Sequence, residues 1–126
     1  MPSARRRHSI RRQRGRAMSV AHFQLAGAVL LNASSYTIYK AIVGAEPRIW
    51  WPLFLAGLLL GAANAYLFTQ SLRAIPLSIA FPVFSGVSFL AITLISALFF
   101  GEPVRIATLL GMALVLGGSF LIIGSA

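Results

Sequence analysis

Four long apolar blocks, separated by connectors only a few residues long, constrain this chain more than any other feature. The hydrocarbon core of a bilayer is about 30 Å thick and a helix rises about 1.5 Å per residue, so roughly 20 mainly apolar residues suffice to cross it. Blocks at about 23–43, 51–72, 77–100 and 106–123 meet that length. Each ends at charge, glycine or proline. The first stops before Gly44-Ala45-Glu46-Pro47-Arg48, the second at Arg73-Ala74-Ile75-Pro76, and the third at Gly101-Glu102-Pro103. Trp50 and Trp51 at the head of the second block suit an interfacial aromatic belt. Short connectors between long helices predict an all-α integral membrane fold, four transmembrane helices in an up-down-up-down bundle. Strands are excluded because a membrane sheet must close into a barrel, and four strands cannot.

Composition agrees: 58% of the residues are hydrophobic and 10% are charged, against roughly 25% charged in soluble domains. The net charge of +9 belongs mainly to a tail, since seven of the eleven basic residues are Arg5, Arg6, Arg7, Arg11, Arg12, Arg14 and Arg16. Residues 1–18 are therefore expected to form a basic, disordered arm that sets topology and meets anionic lipid, in preference to a nucleic-acid partner. Met18 directly follows that arm and is an alternative start, with the transmembrane domain at 19–126. Arg11-Arg12 lacks the downstream pattern of a twin-arginine signal. Counting Lys and Arg, the tail and Arg73 on one side outweigh Lys40, Arg48 and Arg105 on the other, so both termini are expected in the cytoplasm of a bacterial inner membrane. Without the tail the bias reverses.

No cysteine is present, and two histidines with two glutamates make a metal site improbable, so neither metal nor cofactor is expected. His8 lies in the tail, His22 at the membrane surface, and neither Glu46 nor Glu102 lies within a block, so no set of nucleophile, base and acid exists for catalysis. What the blocks do hold is neutral polar side chains, which inside a bilayer face a partner or a cavity more often than lipid. Gln24, Ala28, Asn32, Ser35, Tyr36 and Tyr39 recur at helical spacing along one face of the first helix, the best candidate lining of a pathway. For Asn32 and Ser35 the competing reading is a hydrogen bond between helices. Lys40 is expected to snorkel to the interface, a counter-charge to an anionic substrate being the alternative. In the second helix Gly57, Gly61 and Ala65 form a small-residue ridge for close packing, with Asn64 beside it as a second pathway candidate. In the third, Pro82 cannot donate to Ser78 and is followed by Ser85-Gly86, which predicts a kink. The fourth is poor in polar side chains and carries Gly111 and Gly118 seven residues apart, an association surface.

These motifs are similar to those of the small multidrug resistance family, within the drug/metabolite transporter superfamily. The likeness rests on the first-helix lysine, on the run Ile79-Ala80-Phe81-Pro82-Val83-Phe84-Ser85-Gly86-Val87-Ser88 and on Gly111-Met112 with Gly117-Gly118, and it covers about His22 to Ser125. It implies a transporter built as a dimer, in which the Ser85-Gly86-Val87 turn keeps the third-helix kink and the paired fourth-helix glycines keep the dimer contact. It also exposes departures. Proton-coupled exporters of that family hold a glutamate in the middle of the first helix, and the matching position here, eight residues before Lys40, is Asn32. The family's third-helix tyrosine and tryptophan match Phe81 and Phe84. Phe99 to Val104 also resembles the last hairpin of larger, EamA-type transporters. Small flippase subunits that move an aminoarabinose on undecaprenyl phosphate resemble the chain further: four helices, proline in the third, a Glu-Pro-Val turn and no first-helix glutamate.

The resulting expectation is a transporter or flippase subunit, paired with itself or with another four-helix chain, moving a small amphiphilic or carrier-lipid-linked molecule. Two other readings stand beside it: an exporter of organic cations that needs a glutamate-bearing partner, and a non-transporting membrane scaffold. A pathway would turn Asn32, Tyr36 and Ser85 toward one interior space, whereas a scaffold would bury them in pairwise packing.

Overall fold

A computed structural model describes residues 3–125, and in them the expected four helices: α1 (Ala4–Ala41), α2 (Pro47–Ser71), α3 (Leu77–Phe99) and α4 (Ile106–Gly124). The connectors set the ends. Glu46 is extended and Pro47 occupies the first turn of α2, where its missing N–H costs nothing, so α2 begins before the expected Trp51. Gly44 (φ 79°) and Gly101 (φ 63°) take the left-handed conformation that other residues avoid and reverse the chain after α1 and α3. Arg16 and Gln24 of α1 border the same cavity as Gln70 and Arg73, while Lys40 at the other end of α1 meets Glu102. Consecutive helices therefore run in opposite directions.

The basic arm differs from expectation. It is not a disordered tail but the N-terminal part of α1, helical from Ala4 and exposed through Val20. Arginine and alanine are good helix formers, and growing outward from an existing helix avoids the cost of nucleation. At 38 residues, α1 is about 57 Å long, nearly twice the hydrocarbon thickness. Three helices, α2 to α4, are long and apolar enough to cross a membrane by length and composition. α1 is long enough but falls short in apolar content, because it carries the polar stripe, and it leaves Phe23 and Leu30 exposed.

α1 is the centre of the arrangement: it packs on both α2 and α3, and α4 packs on α3. Little large side-chain volume is buried. Ala21, Ala28, Ala33 and Ala80 are buried instead, with Gly57 and Gly86, the residues that let backbones approach. A small core of Ala21, Leu25, Ile75 and Ala80 closes the end near the α2–α3 turn, covered by Phe68 and Phe84. Most large apolar side chains of α2, α3 and α4 point outward, as lipid requires.

Candidate functional site

The polar stripe of α1 runs along its seam with α2. Ser35, buried, donates to the carbonyl of Gly57 at 2.9 Å, a bond that only a residue without a side chain on that face leaves open. Tyr39 lies over the same glycine: a Cβ added there would come within 2.5 Å of its ring. The ring is held edge-on by Tyr36, with centroids 5.8 Å apart, and tilted against Phe54 at 5.6 Å. Gly61 continues the ridge: a Cβ added there would lie 3.7 Å from Ser35 Oγ. Close packing was the expected use of Gly57 and Gly61, and their contacts are of that kind.

One turn away, Asn64 Nδ2 donates to Asn32 Oδ1 at 3.3 Å. The two amides meet across α1 and α2, half-buried, and Asn64 Oδ1 is buried with no hydrogen-bond partner. An acceptor left open at membrane depth is costly and invites a donor. The pair forms a neutral, hydrogen-bonding centre that cannot gain or lose a proton in the physiological range.

On α3, Phe84 packs on Phe68 with centroids 5.1 Å apart, while Phe81 is 57% exposed, its ring edge-on to Phe68 at 6.3 Å. Ser85 is half-buried. The helix is continuous through Pro82. Gly86 serves the contact with α4: a Cβ there would lie 3.1 Å from Ser119 Oγ and 3.4 Å from Val115. Ser119 Oγ in turn donates to Val115 O at 2.8 Å and lies 3.1 Å from the carbonyl of Pro82. Ser119 was not among the sequence candidates. Its signal was weak: a serine directly after the pair Gly117-Gly118 in an otherwise apolar helix. Gly111 and Gly118, by contrast, have nothing within 4 Å of an added Cβ, so α4 keeps an open small-residue face within the chain.

Within one chain Ser35 and Asn32 are in pairwise contact with α2, Tyr36 is 54% exposed, and Ser85 lies half-buried on α3. Four helices of which α4 touches chiefly α3 cannot wrap a midplane cavity.

The far end carries a feature the sequence reading did not join up. Lys40 Nζ lies 2.8 Å from Glu102 Oε1, and Ser96 Oγ donates to Oε2 of the same carboxylate. Left-handed Gly101 turns the chain so that Glu102 N–H reaches Ser96 O at 3.2 Å, which aims the carboxylate at α1. The pair ties the end of α1 to the α3–α4 turn, beside a cavity of about 210 Å³ lined by Tyr36, Thr37, Ile95 and Phe100. The hydrogen bond from Lys40, then that from Ser96, hold Glu102 below the usual carboxylate range. A depressed pKa means the tie is fully present above about pH 4.3, the ordinary glutamate value, and is lost as pH falls through the lowered folded value. Both partners are about half exposed, so the contribution is small. Spin labels at Val43 and Val104 should report a distance that broadens only as pH falls below the ordinary glutamate range, and in Glu102→Gln should be broad at every pH. A wild-type distance indifferent to acid would remove the tie.

With this geometry in hand, similarity to known proteins decides the family. The family model described as Small Multidrug Resistance protein matches residues 20–115, from where the exposed arm of α1 ends into α4. The chain belongs to the small multidrug resistance family. Among its relatives, multidrug resistance protein EbrB of Bacillus licheniformis is 33% identical over 99 residues, covering 78% of this chain and 80% of EbrB. Multidrug transporter EmrE of Escherichia coli is 31% identical over 101 residues, covering 80% and 89%. The nicotine metabolites export pump subunit NepB of Paenarthrobacter nicotinovorans is 35% identical over 63 residues, half of this chain and 38% of NepB. The chain is thus a multi-pass membrane protein of a transporter family, and the membrane-facing exposure of α2, α3 and α4 follows from that. Its first helix, α1, contains no aspartate or glutamate, and Asn32 stands among its central polar residues.

Proposed function

We propose that this chain is a subunit of a dimeric small-multidrug-type exporter in the bacterial inner membrane, with a neutral amide centre where proton-coupled relatives carry an acid. The observation that carries the reading is the Asn32–Asn64 pair, half-buried between α1 and α2, with the Asn64 carbonyl oxygen unpartnered. Relatives named for multidrug resistance, multidrug transport and metabolite export support efflux of small molecules. A second copy or a sister four-helix chain supplies the missing wall: exposed Tyr36 and Phe81 are aromatic surfaces that a single chain leaves open, and inverted pairing is a standard way to build a midplane site. Asn32, Ser35, Tyr36, Tyr39, Asn64, Phe81, Phe84 and Ser85 line the path in this reading. Pro82 and Gly86 shape α3, and Gly111 with Gly118 join the protomers. The substrate is a small amphiphile that the amides hydrogen-bond, neutral or carrier-lipid-linked when the chain works alone. An organic cation requires the carboxylate of a partner. The charge asymmetry of the two ends supports cytoplasmic termini.

A carboxylate at the position of Asn32 would titrate with a raised pKa in that setting and exchange protons for cations. An asparagine has no such proton. Purified protein in liposomes, without a partner and under an imposed pH gradient, is therefore expected to show no gradient-driven uptake of an organic cation, and Asn32→Glu is expected to confer it. Robust uptake by the unaltered chain, abolished by Asn32→Ala, would overturn the proposal.

A further inference from the structure

The sequence contains only two side-chain carboxylates, Glu46 and Glu102. Both lie at the end of the bundle where α1 stops and α4 starts, and one of them is taken by Lys40. The opposite end has none. There Arg16 of α1 and Arg73 of the α2–α3 turn border a single cavity of about 270 Å³, together with the half-buried Gln24 and Gln70. Its remaining wall is small and apolar, with Val20, the buried Ala21 and Ala74 among it. Two guanidinium groups thus share a cavity at an end of the bundle that holds no side-chain carboxylate.

Both arginines are exposed at the cavity's rim, and the planar fork of N–H donors of a guanidinium fits the oxygens of a phosphate in bidentate fashion. The two glutamine amides add neutral donors, and the small apolar wall suits the glycerol and first methylenes of a lipid. The remaining tail arginines are exposed around the extended part of α1. They attract an anionic surface without enclosing a ligand.

We propose that Arg16 and Arg73, with Gln24 and Gln70, form a binding site for a phosphate-bearing anion at the membrane face, filled by the phosphodiester head group of an anionic phospholipid or by free phosphate. The site fixes the base of α1 against the α2–α3 turn, independently of how the amide centre works.

The full chain, purified and given equal amounts of phosphatidylglycerol and phosphatidylcholine, should retain the anionic lipid about tenfold in preference, read by native mass spectrometry. Arg16→Gln with Arg73→Gln should bring that preference close to one. Arg5→Gln with Arg6→Gln, which removes the same charge from the tail, should leave it largely intact. Millimolar inorganic phosphate that displaces the phosphatidylglycerol would assign the site to free phosphate, and failure to displace it would assign the site to the head group. Gln24→Leu with Gln70→Leu, which keeps the charge, should weaken retention severalfold and covers the case in which the arginine variant does not fold. No preference in the unaltered chain, or an equal loss from the tail variant, would overturn the proposal.

Discussion

Gly118→Leu is expected to abolish self-association while leaving the chain inserted and its own helices packed. Nothing lies within 4 Å of an added Cβ at Gly118 or Gly111, so a side chain there starts into open space within the protomer, and its main steric cost is expected to fall on another chain. Loss of close backbone contact along α4 should cut crosslinked dimer yield by about tenfold or more, a loss of at least ~1.4 kcal/mol. The control is Gly86→Leu, which would drive its side chain into Ser119 and Val115 and should disturb the α3–α4 packing whether or not a dimer forms. Unchanged crosslinking in Gly118→Leu would move the protomer contact away from α4.

Gly57→Leu is expected to unseat α1 from α2. The seam between them offers one glycine to two side chains, since Ser35 donates to its carbonyl and Tyr39 covers its α-carbon. Overpacking of this kind costs about 1–3 kcal/mol, and loss of the serine bond adds about 1 kcal/mol. Gly57→Ala is the sharper measurement. Even a methyl group comes within 2.5 Å of the Tyr39 ring, so Tyr39→Ala should restore much of the stability lost in Gly57→Ala. Unfolding by denaturing detergent, compared across the two single variants and the double, gives the coupling directly. Additive effects would show that Tyr39 swings freely and that the seam is held by Ser35 alone.

How far each feature could be read without coordinates depends on its range along the chain. The four helices were legible because apolar blocks of membrane length and the breakers Gly44, Pro47, Pro76 and Gly101 act locally. Their ends shifted by a few residues where capping decided, as at Pro47, which begins α2 after Glu46 instead of closing α1. The tail was misread because arginine-rich composition was weighed as charge alone, whereas attachment to α1 makes its helix inexpensive to extend. Asn32 and Ser35 were recognised as polar positions on one face, but whether that face met α2 or a cavity is a question about a neighbour 22 to 32 residues away.

The sequence by itself determined that this chain is helical, crosses a membrane and has no acidic residue in its first helix, because those properties follow from hydrophobic length and from single residue identities. Tertiary structure decided the pairings. It set Asn64 against Asn32, seated Tyr39 on Gly57, brought Lys40 to Glu102 and gathered Arg16 with Arg73 around one cavity. Each of these depends on the rotation and height of one helix against another. Those are fixed by the fit of small residues and side chains summed over the whole seam, which no local stretch of the sequence contains.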